Sequence, residues 1–352
     1  KRGLSLQYHP ILYSHDFEHG AVVMVVRKHQ LGFGLVELMV AVLIGLIVSD
    51  AAVNLYLGGK QSFLFQTSLA RIQENLRSVR HYLSQDIRMA GFTGCLPIDA
   101  TILHDVSVNP QSSITQKNVL QGYDPSMSWP TTWPAQPANY VSGADALIIR
   151  HASTQSATLA VPMTALSAQI EINRRPWPVE TGLDGLMSIT NCSSTEIFSP
   201  TSLSSNATGD WNIAHGRAAN ISPLLNQKYG RSAQVAVVNG YLYYLGTNAS
   251  GNPGLFRENI YSGIQEEVAN LGVRYGIDTL GNGSVTEYLP ASGVWIDQSW
   301  AKVKSVRISL LVRSEEDYLV RDPQTYRFEG VTKTAPDHRI YKSVTFTVER
   351  RN

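Results

Sequence analysis

The chain has 352 residues, 43% of them hydrophobic and 16% charged, with a formal net charge of +1. So sparse and balanced a charge argues against a nucleic-acid protein, because phosphate binding needs a concentrated basic surface. The apolar content argues against disorder and is enough for one large globular domain or two small ones.

Residues 1–23 are of mixed polarity, carry three histidines and have no targeting character. Met24-Val-Val-Arg-Lys-His-Gln-Leu-Gly32 reads as a complete short basic leader by itself, so Met24 is the expected start and residues 1–23 an over-extended reading frame. From Phe33 to Leu57 the chain is almost wholly apolar, about 25 residues and long enough to cross a ~30 Å hydrocarbon layer as a helix. Arg27, Lys28 and His29 precede that run, which places the N-terminus in the cytoplasm and the bulk of the chain outside it. An ordinary secretory signal has its small-residue cleavage site after the apolar run. Here the small residue, Gly32, stands before it, so cleavage there leaves the helix on the mature protein.

Two carboxylates interrupt the apolar run. Glu37 inside a spanning helix costs ~2.5–3.5 kcal/mol, which makes it a functional candidate by default. Asp50 lies thirteen residues further on, near the opposite membrane surface, where it either snorkels or faces a polar seam.

The segment Gly32-Phe33-Gly34-Leu35-Val36-Glu37 resembles the type IV prepilin signal. That resemblance implies cleavage after Gly32 by a prepilin peptidase and N-methylation of Phe33. It also implies an assembly role for Glu37, which would pair with the amino group of Phe33 in a neighbouring subunit. The alternative is a plain signal anchor whose Glu37 reaches the interface.

After Gly58-Gly59, an expected bend, the pattern becomes one-sided. Phe65, Leu69, Ile72, Leu76, Val79, Leu83, Ile87 and Ala90 recur every three or four residues and predict an amphipathic helix over 58–90. Gly91, Gly94 and Pro97 end it. Phe33 to Ala90 as one helix would run ~87 Å. Leu69-Ala-Arg-Ile-Gln-Glu-Asn75, then Asp86-Ile-Arg-Met-Ala-Gly-Phe92 and Gly94-Cys95, resemble the PilW-type minor pilins of type IV pili. The likeness returns at Val306–Ser314 and Val344–Asn352.

Cys95 and Cys192 are the two cysteines. Outside the cytoplasm they are candidates for a disulfide; two buried thiols are the alternative. Residues 96–140 read as a long loop with exposed aromatics at Trp129 and Trp133. Ala146–Arg150, Lys304–Arg313 and Ser343–Glu349 read as strands. Val235–Val238 and Tyr241–Leu245 read as a hairpin across Asn239-Gly240. Gln265–Asn270 reads as a short helical turn, and the loops between residues 96 and 232 read as long, which leaves two subdomains open. Asp278, Asn282 and Glu287 lie in a degenerate calcium-loop pattern; a hairpin turn is the better reading, so no metal is expected.

The predicted fold class is α+β, pilin-like: a leader (1–32), a membrane helix (33–57), an amphipathic helix (58–90) and a mostly antiparallel β-rich head (91–352). No catalytic motif such as G-x-S-x-G, Walker A, H-E-x-x-H or C-x-x-C is present, so no enzyme and no cofactor is expected. The resemblance implies a minor pilin that joins other minor pilins to prime pilus assembly. Its expected partners are the prepilin peptidase, other minor pilins and the major pilin, and the inner-membrane assembly platform. The expected location is a single pass in a bacterial inner membrane with a periplasmic head, then the fibre or its tip; no direct nucleic-acid contact is expected. Rival readings are a J-type pseudopilin of a type II secretion system and a membrane-anchored adhesin.

Overall fold

A computed structural model describes residues 34–108, 114–131, 133–175, 185–258 and 263–351. Helix α1 spans Leu35–Met89 and is assigned without interruption through Gly58 and Gly59. The chain divides between Gly59 and Lys60. Up to Gly59 every described residue is exposed, including Leu35 at 77%. In water such a surface would have nothing to cover it, whereas hydrocarbon suits both the side chains and a backbone satisfied within the helix. Among the described residues α1 is the one helix long and apolar enough to cross a membrane.

In the second unit α1 buries one stripe: Ser68, Ile72, Val79, Leu83, Asp86 and Ile87. Phe65, expected in that stripe, is exposed, and Leu64 packs against the core instead. The helix stops because Gly91 adopts φ +82°, a left-handed conformation favoured by glycine, and Phe92 donates its N–H back to Met89 O at 2.8 Å.

Eighteen strands follow among the described residues. In chain order they are β1 (Ile102–Asp105), β2 (Leu120–Tyr123), β3 (Ala146–Ala152), β4 (Ala157–Thr158), β5 (Ile170–Ile172) and β6 (Leu186–Thr190). Next come β7 (Ser194–Phe198), β8 (Ser202–Ser205), β9 (Trp211–Ala214), β10 (Gln234–Thr247), β11 (Pro253–Glu258) and β12 (Gly263–Glu266). The last are β13 (Asn270–Ile277), β14 (Glu287–Leu289), β15 (Val303–Arg313), β16 (Thr325–Phe328), β17 (Val331–Thr334) and β18 (Tyr341–Glu349), with a short helix α2 (Ala291–Ile296) before β15. The α+β class is as expected.

A nine-stranded sheet runs β1-β7-β6-β10-β11-β12, with β3 and β4 also on β10 and β2 on β3. A four-stranded sheet runs β14-β13-β15-β18. Pairing is antiparallel except for β1 with β7. The α1 stripe shares one core with both sheets, meeting Leu147, Ile149, Ile197, Val273, Ile308 and Leu310 among others.

Three expectations fail here. The Asn239-Gly240 hairpin does not form: β10 runs straight through it, with Asn239 opposite His151 and Gly240 opposite Arg150 on β3. The strand hands over partners at this point, from β6 over Gln234–Val238 to β3 over Val238–Tyr244, and ladder bonds on both sides outweigh the local turn preference. Gln265–Asn270 is no helical turn, because β12 ends there after pairing with β11 and β13 begins. Residues 96–232 hold nine short strands among the described residues, joined by long loops. The third failed expectation is the exposed aromatics of that segment: Trp133 is 1% exposed, donates its indole N–H to Gln121 and lies edge-on to Trp129.

Candidate functional site

Two places carry chemistry that the sequence singled out. The first is the start of α1. Gly32 and Phe33 lie outside the described residues. Leu38 donates its N–H to Gly34 O at 3.1 Å, so the helix is already formed where Glu37 stands. Glu37 is therefore in the first turn, where the positive end of the helix dipole favours a carboxylate. Its neighbours Leu35, Val36, Leu38, Met39 and Val40 are all exposed. Asp50 is one helical segment further on and accepts the Asn54 amide at 3.2 Å, an i,i+4 pair on one face. At 100° per residue that face is turned ~140° from Glu37, so the two carboxylates do not form one polar seam.

The second is the end of α1, the Asp86–Cys95 segment. Leu83 and Ile87 are core, and Asp86 lies between them on the same side, only 2% exposed. A carboxylate there is tolerated only with a cation and hydrogen bonds around it. Arg257 on β11 supplies a two-pronged pair, Nε to Oδ2 at 2.8 Å and Nη2 to Oδ1 at 3.1 Å. Tyr243 on β10 donates its hydroxyl to Oδ2 at 2.7 Å. His151 on β3 places Nε2 3.8 Å from Oδ1. The Tyr241 ring stacks 3.7 Å from the Arg257 guanidinium and covers its outer face.

Burial alone would raise the carboxyl, but the nearby His151 ring and the hydrogen bonds and charge of Arg257 outweigh it and hold Asp86 below its ordinary value. Burial, reinforced by the Asp86 charge, pushes the Tyr243 hydroxyl well up, so it stays a donor. One helix and three strands thus meet on one carboxylate.

The chain after the helix is sewn to the same strands. Gly91 donates its N–H to Arg150 O at 3.0 Å and Ala152 donates to Phe92 O at 2.6 Å. Cys95 forms a disulfide with Cys192, in the turn between β6 and β7. Near the other end of the packed segment, Ser68 donates to Glu316 at 2.9 Å and Arg71 pairs with Glu315 at 3.1 Å.

The Asp278 loop uses its carboxylate internally. Oδ1 accepts the N–H of Gly281 and Asn282 and Oδ2 that of Gly283, at 2.7–3.2 Å, closing the turn from β13 to β14. Glu287 begins β14, opposite Ile277. Among the described residues no group of three or more His, Cys, Asp or Glu is gathered for a metal.

Sequence reasoning noted the Asp86 segment only as part of a family pattern and missed Arg257, Tyr243 and His151. A signal was present: Asp86 follows Leu83 by three residues, on the buried stripe, and a buried carboxylate requires a distant cation.

A long helix with an apolar, uncovered first half, carrying a β-rich head on its second half in sequence, fits a membrane-anchored pilin. Two family comparisons narrow that class. The prokaryotic N-terminal methylation motif matches residues 27–49, which include Gly32, Phe33 and Glu37. The family described as type IV pilus-assembly protein W matches residues 242–352, from within β10 to the end and including Tyr243 and Arg257. Together the two matches support a PilW-type type IV pilin. No curated protein and no solved structure matches the chain.

Proposed function

We propose that this chain is a minor pilin inserted in a bacterial inner membrane, cleaved after Gly32 and N-methylated on Phe33, which joins other minor pilins to prime assembly of a type IV pilus. The observation that carries the reading is the carboxylate of Glu37 in the first turn of an otherwise apolar, uncovered helix. Such a helix associates by packing, and a single charge within it favours one register against its neighbours. In this reading the new amino group of Phe33 on an adjacent subunit offsets the charge. The head stays periplasmic, held to the helix through Asp86, and has no enzymatic role. Its partners are the prepilin peptidase, other minor pilins, the major pilin and the assembly platform.

Mass spectrometry of the mature N-terminus tests this directly. N-methyl-Phe33 is the expected first residue; an intact leader, or cleavage beyond residue 50, overturns the reading. The J-type pseudopilin shares this processing, and the match of residues 242–352 to a pilus-assembly family favours the pilus.

A further inference from the structure

The strand β18 closes the four-stranded sheet, and among the described residues its one ladder partner is β15. Arg350 donates its N–H to Lys304 O and Ser314 donates to Ile340 O, which sets the phase of the ladder. In that phase the even-numbered residues of β18 bond to β15, and the odd-numbered ones turn N–H and C=O to the outer edge. Gln324 takes the outward N–H of Tyr341. The backbones of Ser343, Thr345 and Thr347 have no outward partner among the described residues. The strand is nine residues long and contains neither proline nor glycine. Such a regular edge is a template for pairing unless something covers it.

A groove of about 1030 Å³ runs between this strand and the packed part of α1. Leu76, Val344 and Phe346 give it a half-buried apolar floor. Arg77, Arg80 and Arg88 line the helix side and Lys342 and Arg351 the strand side; no Asp or Glu lines it. In a chain of net charge +1 that is a local concentration of one sign.

We propose that this groove docks an extended acidic segment of a partner protein, which adds to β18 as a further strand. Its backbone would pair with Ser343, Thr345 and Thr347. Alternate side chains would then point into the groove, apolar ones onto Val344 and Phe346 and carboxylates toward the arginines. Charge complementarity selects an acidic occupant, and the outward amides with the apolar floor select a peptide over a nucleic acid. The inference does not rest on the assembly role of Glu37.

The test uses the full chain in detergent micelles and a fluorescein-labelled heptapeptide of alternating Glu and Val. The expected result is saturable binding that slows amide exchange at Thr345 and Thr347 tenfold or more. Affinity should fall at least tenfold in the Arg77→Glu/Arg80→Glu variant. It should also fall in Thr347→Pro, which removes an outward N–H and leaves the β15 ladder intact. Circular dichroism checks that the variants fold, and should one fail, exchange protection in the unaltered chain decides. Four results each overturn the proposal: no binding of the Glu-Val peptide, equal binding of a Lys-Val peptide, preferential binding of oligodeoxythymidine, or binding without protection of β18. Self-association that displaces the peptide would assign the edge to a second copy and overturn it too.

Discussion

Asp86 of the helix and Arg257 of the sheet form a buried two-pronged ion pair, 2.8 and 3.1 Å long, 171 residues apart in the chain. Removing one partner of such a pair leaves an uncompensated charge in the core, which typically costs about 3–5 kcal/mol. Asp86→Ala is therefore expected to destabilise the head by that order. Tyr243→Phe, which removes one hydrogen bond to the same carboxylate, should cost about 1 kcal/mol. Denaturant unfolding measures both, and an Asp86→Ala/Arg257→Met double variant should lose less than the sum of the single changes.

A second buried carboxylate has the opposite pH dependence. Burial pushes Asp145 up to about 7, against the amide of Val273 and the charge of Arg274, which lower it. Between its ordinary value and 7 the folded state binds a proton that the unfolded state has released. Its contribution is therefore fully present at low pH and is lost as pH rises toward 7. Asp145→Asn keeps an acceptor for Val273, 2.7 Å away, and removes the penalty. The variant should be more stable than the parent at pH 8, by roughly 1–3 kcal/mol, and indistinguishable near pH 4. Asp86 works the other way: its stabilisation is present above the ordinary carboxylate range and is lost as pH falls through its depressed value. Melting temperature against pH separates the two.

The Cys95–Cys192 disulfide closes a loop with a sequence separation of 97. Loops of that length restrict the unfolded chain strongly, and loss of such a bridge typically costs about 2–5 kcal/mol. A Cys95→Ser/Cys192→Ser variant should melt lower than the parent in oxidising buffer. The two should converge when the parent is reduced with dithiothreitol. Equal melting without reductant would contradict this.

Glu37→Ala bears on the proposed function. The variant removes a charge from an exposed helical surface remote in sequence from the head, so processing and head stability should be unchanged. Incorporation into pili should fall at least tenfold, read by immunoblot of sheared fibres. Normal incorporation would favour the anchored-adhesin reading. Glu37→Gln should restore little, because the proposed pairing needs a charge.

What could be read from the sequence were features that depend on neighbours a few residues away. The apolar run before Gly58, the three- and four-residue stripe after it, Gly91 as the stop and the alternation of β15 and β18 are of this kind, and all stand in the fold. The N-terminal methylation motif over residues 27–49 was also legible, because such a signal is a short contiguous stretch of chain.

The features that misled were those where a local preference met a long-range one. Asn239-Gly240 carries the strongest short hairpin signal in the chain, yet partners on both sides draw it into the middle of β10. Trp133 lies in a proline-rich loop and is nevertheless buried, because a nearby strand offers Gln121 to its indole.

Sequence alone determined that there is a helix and which half of it is bare. Only the tertiary structure decided which cation meets the Asp86 carboxylate and that Cys95 reaches Cys192. It alone decided that β18 presents an open edge beside a basic groove. Those outcomes depend on residues tens to hundreds of positions apart, and spacing along the chain does not encode distance between them once the sheets have formed.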